Sequence, residues 1–418
     1  MYDNLTVIIV IIVVSVIALL IVALLFASVL RRVRNARTYQ KLDVLRLEYR
    51  RKLQQALSGG GINELECVLR TNPGSLAWRA VEDVLFEFQA DRPPDTLLKP
   101  LFLHLGYVNF YEKRLRSRNV LSRASAIDKL GWMRAEQSVP KLCRLLDDKN
   151  AEILSVTVRA LSRIGLNEGL LAIVERLPNL LGRSQVTRKA METALLNFGD
   201  QAIAYLAAYR TRDSDPWIMS CVLETLSYLP PDTRSAGLAL EHLSDSHAEV
   251  RSKALKVLGR TGPGMTDRLP EKILPLLDDP VWFVRLQAIK TAREVAGGAA
   301  ARQIGKLLFD ANWRVRSEAA EGLNRLGDCA VDVFLDALKT KDAYAKESIC
   351  EEIEKTHCMN RLIEALGGDD EAMRNTSREI LRIMHSLKFS TPLTEFLAGN
   401  GSERAKDEVR RLIQAGAA

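Results

Sequence analysis

The histidines and cysteines are the side chains that could ligate a metal or act as nucleophiles. His357 and Cys358 are adjacent, and Cys350 lies a short way before them. A structural zinc site needs four such ligands, and no fourth one follows at zinc spacing. The remaining cysteines and histidines are scattered along the chain, at Cys67, Cys143, Cys221, Cys329, His104, His242, His247 and His385. We therefore expect no metal site and no disulfide scaffold, and a reducing compartment fits this cysteine usage best.

The motifs that carry common catalytic or phosphate-binding chemistry do not occur in this sequence. There is no P-loop, no G-x-S-x-G elbow and no kinase signature, and glycines 59–61 follow a predicted helix rather than a strand. The acidic run 369–371 is typical of a solvated loop. We therefore expect no catalytic residues and no cofactor, and a protein that is not an enzyme.

The positive charge of the chain is concentrated in one short segment. The 418 residues carry a formal net charge of +7. Residues 31–56 hold nine basic and two acidic side chains, which accounts for the whole excess and leaves the rest of the chain neutral. A nucleic-acid-binding protein usually spreads its basic surface over the folded domain. We therefore do not expect nucleic acid as a partner.

The segment before this basic cluster is long and apolar enough to cross a membrane. Residues 5–30 carry no charge, and as a helix they would extend about 39 Å across a hydrocarbon core of about 30 Å. A cleaved signal peptide would begin with basic residues, whereas the charged side chain among the first four residues of this sequence is the acidic Asp3. The basic residues that follow predict an outside N-terminus and a cytoplasmic remainder. Those nearest the membrane, where anionic headgroups are the expected partners, are Arg31, Arg32, Arg34, Arg37 and Lys41.

The basic segment 31–58 is predicted to be helical as well. Apolar residues recur in it at helical spacing, at Leu42, Leu45, Tyr49 and Leu53. This face could lie on lipid headgroups, pack on another helix or simply continue the span. Ala23 and Ala27 have the spacing that lets two spans approach closely, which leaves a homo-oligomer open. Residues 58–61 (Ser-Gly-Gly-Gly) predict a hinge.

From about residue 119 a pattern recurs in steps of 28 to 34 residues. Each copy has an apolar residue, often followed by Arg, then small residues at four and seven positions, apolar residues at eight and eleven, and Gly at twelve. The clearest copy runs from Val315 and Arg316 to Gly327, and a weaker one runs from Asn119 to Gly131. Small residues let helices approach, apolar ones fill the core, and the glycine ends the helix in a left-handed conformation. This period predicts stacked helical hairpins.

Aspartates stand five residues before several of these copies. They are Asp148, Asp213, Asp245, Asp279 and Asp310. Each could cap the following helix, or pair with the arginine of a neighbouring copy and so form a ladder between repeats. The arginines in the right position are Arg251, Arg285 and Arg316. We expect this ladder to be structural.

The pattern resembles HEAT-type repeats over residues 119–416. The resemblance is carried by Leu-Leu-Asp-Asp-Pro at 276–280 with Val284 and Arg285, and by residues 310–316. It implies an all-α fold, a right-handed α-solenoid of HEAT-like hairpins whose second helices line a concave, protein-binding face. The step is also similar to that of phycobilin lyases and alkyl-purine DNA glycosylases. The first four copies depart from the pattern, since only Arg188 supplies the arginine.

The predicted domains follow from these elements. Residues 5–30 form a single transmembrane helix, 31–58 a basic juxtamembrane helix, 62–117 a helical N-terminal cap, and 118–418 the HEAT-like repeats.

Two sets of side chains are candidates for binding a protein partner. Trp217, Trp282 and Trp313 begin successive second helices, where a row of exposed indoles would form a binding ridge. The alternative is that each ring packs over the preceding turn. The second set should point into the concave groove as a basic stretch of Lys256, Arg260, Lys290 and Arg293. A more acidic stretch follows at Glu351 and Glu354, and this gradient could orient an elongated partner, unless these are ordinary solvated faces.

The function we expect is that of a membrane-anchored scaffold or regulatory subunit. It would bind a soluble or integral membrane protein partner at the cytoplasmic face of a bacterial inner membrane, in an envelope assembly such as polysaccharide synthesis or secretion. The alternatives are a HEAT-like enzyme of the lyase or DNA glycosylase type and a self-assembling structural membrane protein.

Overall fold

The computed structural model describes residues 2–59, 62–90, 98–182, 186–209, 215–261, 268–356, 358–389, 391–399 and 401–416. Every regular element within these ranges is a helix. The chain divides into two compact units, Met1–Gly169 and Leu170–Ala418, and α9 (Asn167–Glu175) contains the boundary. The predicted all-α fold is confirmed.

Eight helices precede this boundary in the part of the first unit that the structure describes. They are α1 (Tyr2–Gly59), α2 (Ile62–Leu69), α3 (Leu76–Ala90), α4 (Leu98–His104), α5 (Tyr107–Arg114), α6 (Val120–Trp132), α7 (Val139–Arg144) and α8 (Ala151–Ile164). Short 3₁₀ turns at Glu136–Ser138 and Leu145–Asp147 flank α7.

The first helix is continuous through both the predicted span and the predicted juxtamembrane segment. The hinge predicted at residues 58–61 does not begin at Ser58, because Ser58 and Gly59 still belong to α1; residues 60 and 61 lie outside the described ranges. The second half of α1 packs on α3, with Leu42, Leu53 and Ala56 buried. Of the three alternatives for this face, packing on another helix is the one observed.

Ion pairs support the contact between α1 and α3. The Arg46 guanidinium donates to Asp83 Oδ2 from Nη2 at 2.6 Å and from Nε at 3.1 Å. One turn later, Arg50 Nη2 donates to Glu87 Oε1 at 2.6 Å. Two basic residues of the predicted juxtamembrane helix, Arg46 and Arg50, therefore fasten α1 to the folded cap.

The contact between α6 and α8 corrects one prediction. Gly131 was expected to end its helix as a left-handed cap, but it lies inside α6. A Cβ at this position would stand 2.7 Å from Ala160 Cα of α8, so the glycine allows the two helices to approach closely. At the end of α8 the prediction is right, because Gly165 has φ 78° and caps the helix.

In the described residues of the second unit, sixteen helices follow α9 and repeat the helical hairpin. Its helices are α10 (Leu177–Gly182), α11 (Arg188–Leu196), α12 (Gln201–Ala207), α13 (Pro216–Tyr228), α14 (Thr233–Glu241), α15 (Ala248–Thr261), α16 (Leu269–Ile273), α17 (Trp282–Ala296), α18 (Ala301–Lys306), α19 (Trp313–Leu326), α20 (Val331–Leu338), α21 (Ala343–Lys355), α22 (Cys358–Leu366), α23 (Glu371–Ser386), α24 (Thr391–Ala398) and α25 (Glu403–Gly416). The 3₁₀ turns are Leu274–Asp278, Gly297–Ala300, Leu307–Phe309 and Gly327–Ala330.

The second helices of successive hairpins pack side by side in this unit. Helices α13, α15, α17, α19 and α21 follow one another in contact. The small residues predicted at the closest approach, Ala254, Ala288 and Ala319, are fully buried. The unit is therefore a solenoid-like stack, built as the repeat pattern predicts.

Candidate partner-binding surface

Arginine and aspartate side chains join successive hairpins. The Arg285 guanidinium donates to Asp310 from Nε at 2.6 Å and from Nη2 at 2.8 Å. Arg251 meets Asp279 in the same way, at 2.8 and 2.9 Å. In both arginines Nη1 donates to the backbone carbonyl six residues earlier, at 2.8 Å. The predicted ladder is confirmed for these two rungs, each a two-point pair between planar groups.

The aspartates of these rungs also hold the turn before the next helix. Asp279 Oδ1 accepts from the Val281 backbone N–H at 2.9 Å, and Asp310 Oδ1 accepts from that of Asn312 at 2.8 Å. Asp279 and Asp310 therefore do both things predicted for these aspartates: each holds the start of the following helix and also pairs with an arginine of the neighbouring copy. Asp213, also predicted to belong to this set, lies outside the described residues.

A further rung was missed at the sequence level. In the first unit Arg123 pairs with Asp148 at 3.2 Å and donates from Nη1 to the Ser117 carbonyl six residues earlier. Arg123 is thus the equivalent of Arg285, and the first copy of the repeat starts three residues after Asn119. The separation of 25 residues between Arg123 and Asp148, equal to that between Arg285 and Asp310, was the available signal.

Burial and hydrogen bonding compete at Asp310. Burial of the carboxyl group opposes its ionisation, but the bonds from Arg285 and from the Asn312 N–H outweigh this and lower the pKa of Asp310. The ionised rung is therefore the stable form near neutral pH.

The predicted tryptophan ridge is partly open to solvent. The side chains of Trp217 and Trp313 are each 64% exposed, and Trp282 is half-buried. The Arg314 guanidinium lies 5.4 Å from the Trp282 ring centre and 5.5 Å from that of Trp313. Arg188 lies 5.4 Å from the Trp217 ring centre. Trp217 and Trp313 thus have the accessibility that a binding role requires, and that role stays a prediction.

The predicted basic groove contains acidic partners. Lys256 Nζ lies 2.7 Å from Glu224, and Lys290 Nζ lies 3.1 Å from Glu318 on the next second helix. Arg293 pairs with its neighbour Glu294 at 2.7 Å. Arg260 is exposed. Much of the positive charge expected in the groove is therefore compensated within the protein.

The two glutamates beneath these lysines are buried between neighbouring helices. Glu224 on α13 is buried where α13 packs against α15, and Ser227 on the same helix is fully buried. Side-by-side packing of the second helices encloses these positions. Burial opposes ionisation of Glu224, but hydrogen bonds from Lys256 and Lys253 prevail and lower its pKa. At Glu318 burial prevails over Lys290 and raises the pKa.

The cysteines near His357 are poorly placed for chemistry. Cys350 and Cys358 are buried, and burial raises the pKa of Cys350 to about 12 and also raises that of Cys358. His357 itself lies outside the described residues. In the part of the chain that the structure describes, no group of three potential ligands is close enough to hold a metal ion.

The helix α1 contains the one segment among the described residues that is long and apolar enough to cross a membrane. Its most apolar window has a mean hydropathy of 2.4 and is not buried against the protein. The five basic residues predicted at the membrane surface, Arg31, Arg32, Arg34, Arg37 and Lys41, are all exposed along the same helix.

Family comparisons agree with this architecture. Residues 270–354 match the family described as HEAT repeats, and residues 122–148 match the PBS lyase HEAT-like repeat. A search of the curated proteins found no match. Among solved structures, the chain is similar to an engineered protein, with 18% identity, 85% of this chain and 99% of that chain covered and a TM-score of 0.34. It is also similar to Kap121p, with 12% identity, coverage of 88% and 47%, and a TM-score of 0.45, so it spans about half the length of Kap121p.

The two matched segments coincide with the rungs described above. The segment 122–148 contains Arg123 and Asp148, and the segment 270–354 contains Arg285 and Asp310. The matches thus assign residues 270–354 to HEAT repeats and residues 122–148 to a HEAT-like repeat, in agreement with the stacked helical hairpins there.

Proposed function

We propose that this protein is a membrane-anchored scaffold or regulatory subunit, which binds a protein partner through its HEAT repeats. The observation that carries the proposal is the continuity of α1, whose apolar side chains are unburied in the window from Ser15 onward that the structure describes, while its other half is packed into the first unit. A solenoid built in this way has both a surface for partners and a fixed attachment to a membrane.

The apolar half of α1 needs an environment other than water. Leu19, Leu24 and Phe26 are among many large apolar side chains that it exposes on all sides. Contiguous apolar surface of this extent is unfavourable in water and typical of a membrane contact. A single span without charged groups supports attachment rather than transport.

The direction of insertion follows from the basic residues after the span. Their position favours an outside N-terminus and a solenoid in the cytoplasm, at the inner membrane of a bacterium. An envelope assembly such as polysaccharide synthesis or secretion is the setting we propose. Tethering raises the effective concentration of the solenoid towards partners at the same membrane without requiring any new contact.

The exposed indoles Trp217 and Trp313 are the proposed binding side chains, since large, accessible aromatic residues supply much of the affinity of protein interfaces. The groove residues Lys256, Arg260, Lys290 and Arg293 are proposed as the second contact. Because acidic neighbours compensate three of them, we expect them to contribute to orientation more than to affinity.

Two measurements test the proposal. Full-length protein in native membranes should resist extraction with alkaline carbonate, and a variant with Leu19→Arg and Leu24→Arg should be released. Crosslinking and mass spectrometry should then capture a specific protein with the wild type and lose it with Trp217→Ala and Trp313→Ala together. Leu121→Ala, an exposed apolar residue elsewhere, is the matched control.

Recovery of the wild type in the alkaline supernatant would overturn the membrane attachment. Capture of the same partner by the double tryptophan variant would exclude the indoles as its binding site. If native membranes yield only further copies of this chain, self-assembly replaces scaffolding as the function, and the mass of the detergent-solubilised protein would give the number of copies.

A further inference from the structure

In the second unit, the ladder arginine Arg316 differs from Arg251 and Arg285 because no aspartate in the described part of the chain pairs with it. This arginine is built like Arg251 and Arg285, because its Nη1 donates to the backbone carbonyl six residues earlier, that of Asp310, at 2.8 Å. Arg251 and Arg285 use their remaining donors, Nε and Nη2, to hold an aspartate of the next hairpin. In Arg316 the Nε is buried, and it has no hydrogen-bond partner among the described residues.

The cause is a threonine where the earlier hairpins have an aspartate. Asp279 and Asp310 each accept a hydrogen bond from the backbone N–H two residues later, just before α17 and α19. Before α21 the same bond is accepted by Thr340 Oγ1 from the Asp342 N–H, at 3.4 Å. Thr340 therefore occupies the position of the ladder aspartate and has no carboxylate to offer. Within the described ranges no acidic group forms an ion pair with Arg316.

The surroundings of Arg316 are aromatic and open. The ring of Tyr344 lies over the guanidinium with its centre 5.2 Å away, and its side chain is 66% exposed. Trp313, equally exposed, stands one turn before Arg316 on α19. The three side chains line a pocket of about 320 Å³ at the surface of the second unit.

Acidic residues on α21 limit what this pocket can accept. Glu351 is paired with Lys355 at 3.0 Å, and Glu352 accepts a bond from Asn324 at 3.2 Å. Glu347 is exposed on the same wall. The negative charge of Glu347 disfavours the binding of several acidic residues in the pocket. A single carboxylate held by the Arg316 guanidinium is still compatible with it.

We propose that Arg316 binds a single aspartate or glutamate side chain of the partner protein, which completes the ladder from outside, while Trp313 and Tyr344 contact the residues beside that acid. The proposal rests on the proposed scaffold function and names the chemistry of its partner. A desolvated guanidinium gains most from a two-point carboxylate, the interaction that the neighbouring rungs already use.

Thr340→Asp tests the proposal by giving Arg316 an acid of its own. We expect this variant to rebuild the rung, to raise the melting temperature above that of the wild type and to block the external acid. Thr340→Asn is the matched control, since it has the same shape without the charge and should leave binding unchanged. Arg316→Gln is a second variant that removes the guanidinium and should weaken binding to the same extent as Thr340→Asp.

The probe is a library of random twelve-residue peptides displayed on phage, selected on the full-length chain in detergent. Selected sequences should share one aspartate or glutamate near aromatic or apolar residues. Synthetic copies with amidated C-termini, labelled for fluorescence anisotropy, should bind on the order of tenfold more weakly when that acid is changed to its amide. Copies with a free C-terminus and no acidic side chain test whether a terminal carboxylate serves equally.

The change of the acid to its amide in the peptide and the Thr340→Asp substitution in the protein should not have additive effects on the binding free energy. If the acid meets Arg316, changing the acid to its amide has no further effect on the Thr340→Asp variant. Full loss on both backgrounds would overturn the assignment, as would selected peptides rich in lysine or arginine, which would place a cation beside Glu347. The assignment would also be overturned if every selected peptide bound the Thr340→Asp variant as tightly as the wild type, or if no peptide were selected.

Capture of the native partner tests the role of Arg316 and the scaffold function separately. A protein captured from membranes by the wild type and equally by Thr340→Asp would refute the role of Arg316 and leave the scaffold function standing. If the wild type captures no partner at all, the scaffold function fails, and the peptide measurements still decide whether Arg316 binds a carboxylate.

Discussion

Arg285 and Asp310 are joined by two hydrogen bonds that run from one hairpin to the turn before the next. Arg285 thereby ties its own helix to two turns at once, since it also donates to the Asp279 carbonyl behind it. Asp310 in turn accepts from the Asn312 N–H and fixes the start of α19. This one pair of side chains thus connects two consecutive hairpins and the turn between them.

Removing the acid of this rung should strongly destabilise the second unit. Asp310 is 5% exposed and Arg285 15% exposed in the pair, so Asp310→Ala leaves a largely buried guanidinium without its partner. We expect the free energy of unfolding to fall by about 3 kcal/mol, measured by urea denaturation with circular dichroism. Glu351→Ala, which breaks the exposed pair with Lys355, should cost less than about 1 kcal/mol. Equal losses would show that the rung has no special role.

The contribution of the rung should depend on pH in the acidic range. Since the folded pKa of Asp310 is lowered, its ionised form stabilises the protein at pH values above about 3.9, the pKa of an unfolded aspartate. This stabilisation is lost as the pH falls through the lower, folded pKa. The melting temperature of the wild type should exceed that of Asp310→Asn at pH 7, and the two should converge below about pH 4. A difference in melting temperature that stays constant well below about pH 4 would contradict the prediction.

The packing of α1 on α3 should depend on its buried leucines. Leu53 is 0% exposed, and we expect Leu53→Ala to lower the free energy of unfolding of the first unit by about 2 to 5 kcal/mol. Hydrogen exchange should then accelerate in residues 42–56 and in α3. Leu47, on the same helix but exposed, provides the control, and its change to alanine should cost about 0.5 kcal/mol or less. Similar exchange in the two variants would mean that α1 is not docked through this face.

Two glycines that lie within helices should respond oppositely to alanine. Gly131→Ala places a methyl group against the backbone of Ala160 and should destabilise the first unit by about 1 to 3 kcal/mol. Gly237, inside α14, has no neighbour within 4 Å of the added methyl group. Gly237→Ala should therefore stabilise its helix, by about 0.5 to 1 kcal/mol. Thermal denaturation of both variants measures the difference, and a stabilising Gly131→Ala would refute the close approach of α6 and α8.

The cysteines can report on which side of the membrane the solenoid lies. Cys67 and Cys329 are exposed, whereas Cys221 and Cys350 are buried with the pKa of each raised to about 12. A maleimide that cannot cross membranes should label the protein in inverted vesicles and not in intact cells. The Cys67→Ser, Cys329→Ser double variant should lose most of this labelling. Labelling in intact cells would reverse the proposed orientation.

The sequence predicted the elements that depend on local spacing. The helices and the step of the repeat follow from recurring spacings. The rungs do as well, since Arg251 and Arg285 each lie six residues after an aspartate, and the next ladder aspartate follows 28 and 25 residues later. The shift of the first copy towards Arg123 could also have been read from its distance to Asp148.

Features that depend on the register of one helix against another were not predictable. Glu318 neutralises Lys290 because α19 packs beside α17 at a particular height, which no spacing within a single repeat specifies. The apolar face of α1 around Leu42 and Leu53 could not be assigned either, since an amphipathic helix that lies on headgroups has the same pattern as one that packs on α3. The position of Gly131 inside its helix likewise depends on Ala160 across the contact.

Because α1 is an unbroken helix, its length determines both how far the cap lies along the helix axis and how the cap is rotated about that axis. Each residue of an α-helix advances by 1.5 Å and turns by about 100°. Adding or deleting one residue between Leu30 and Leu42 would therefore rotate the docked cap by more than a quarter turn about the helix axis, while its height would hardly change. In the proposed membrane-anchored arrangement, the number of residues in this short stretch would therefore set the rotational orientation of the cap about the axis of α1.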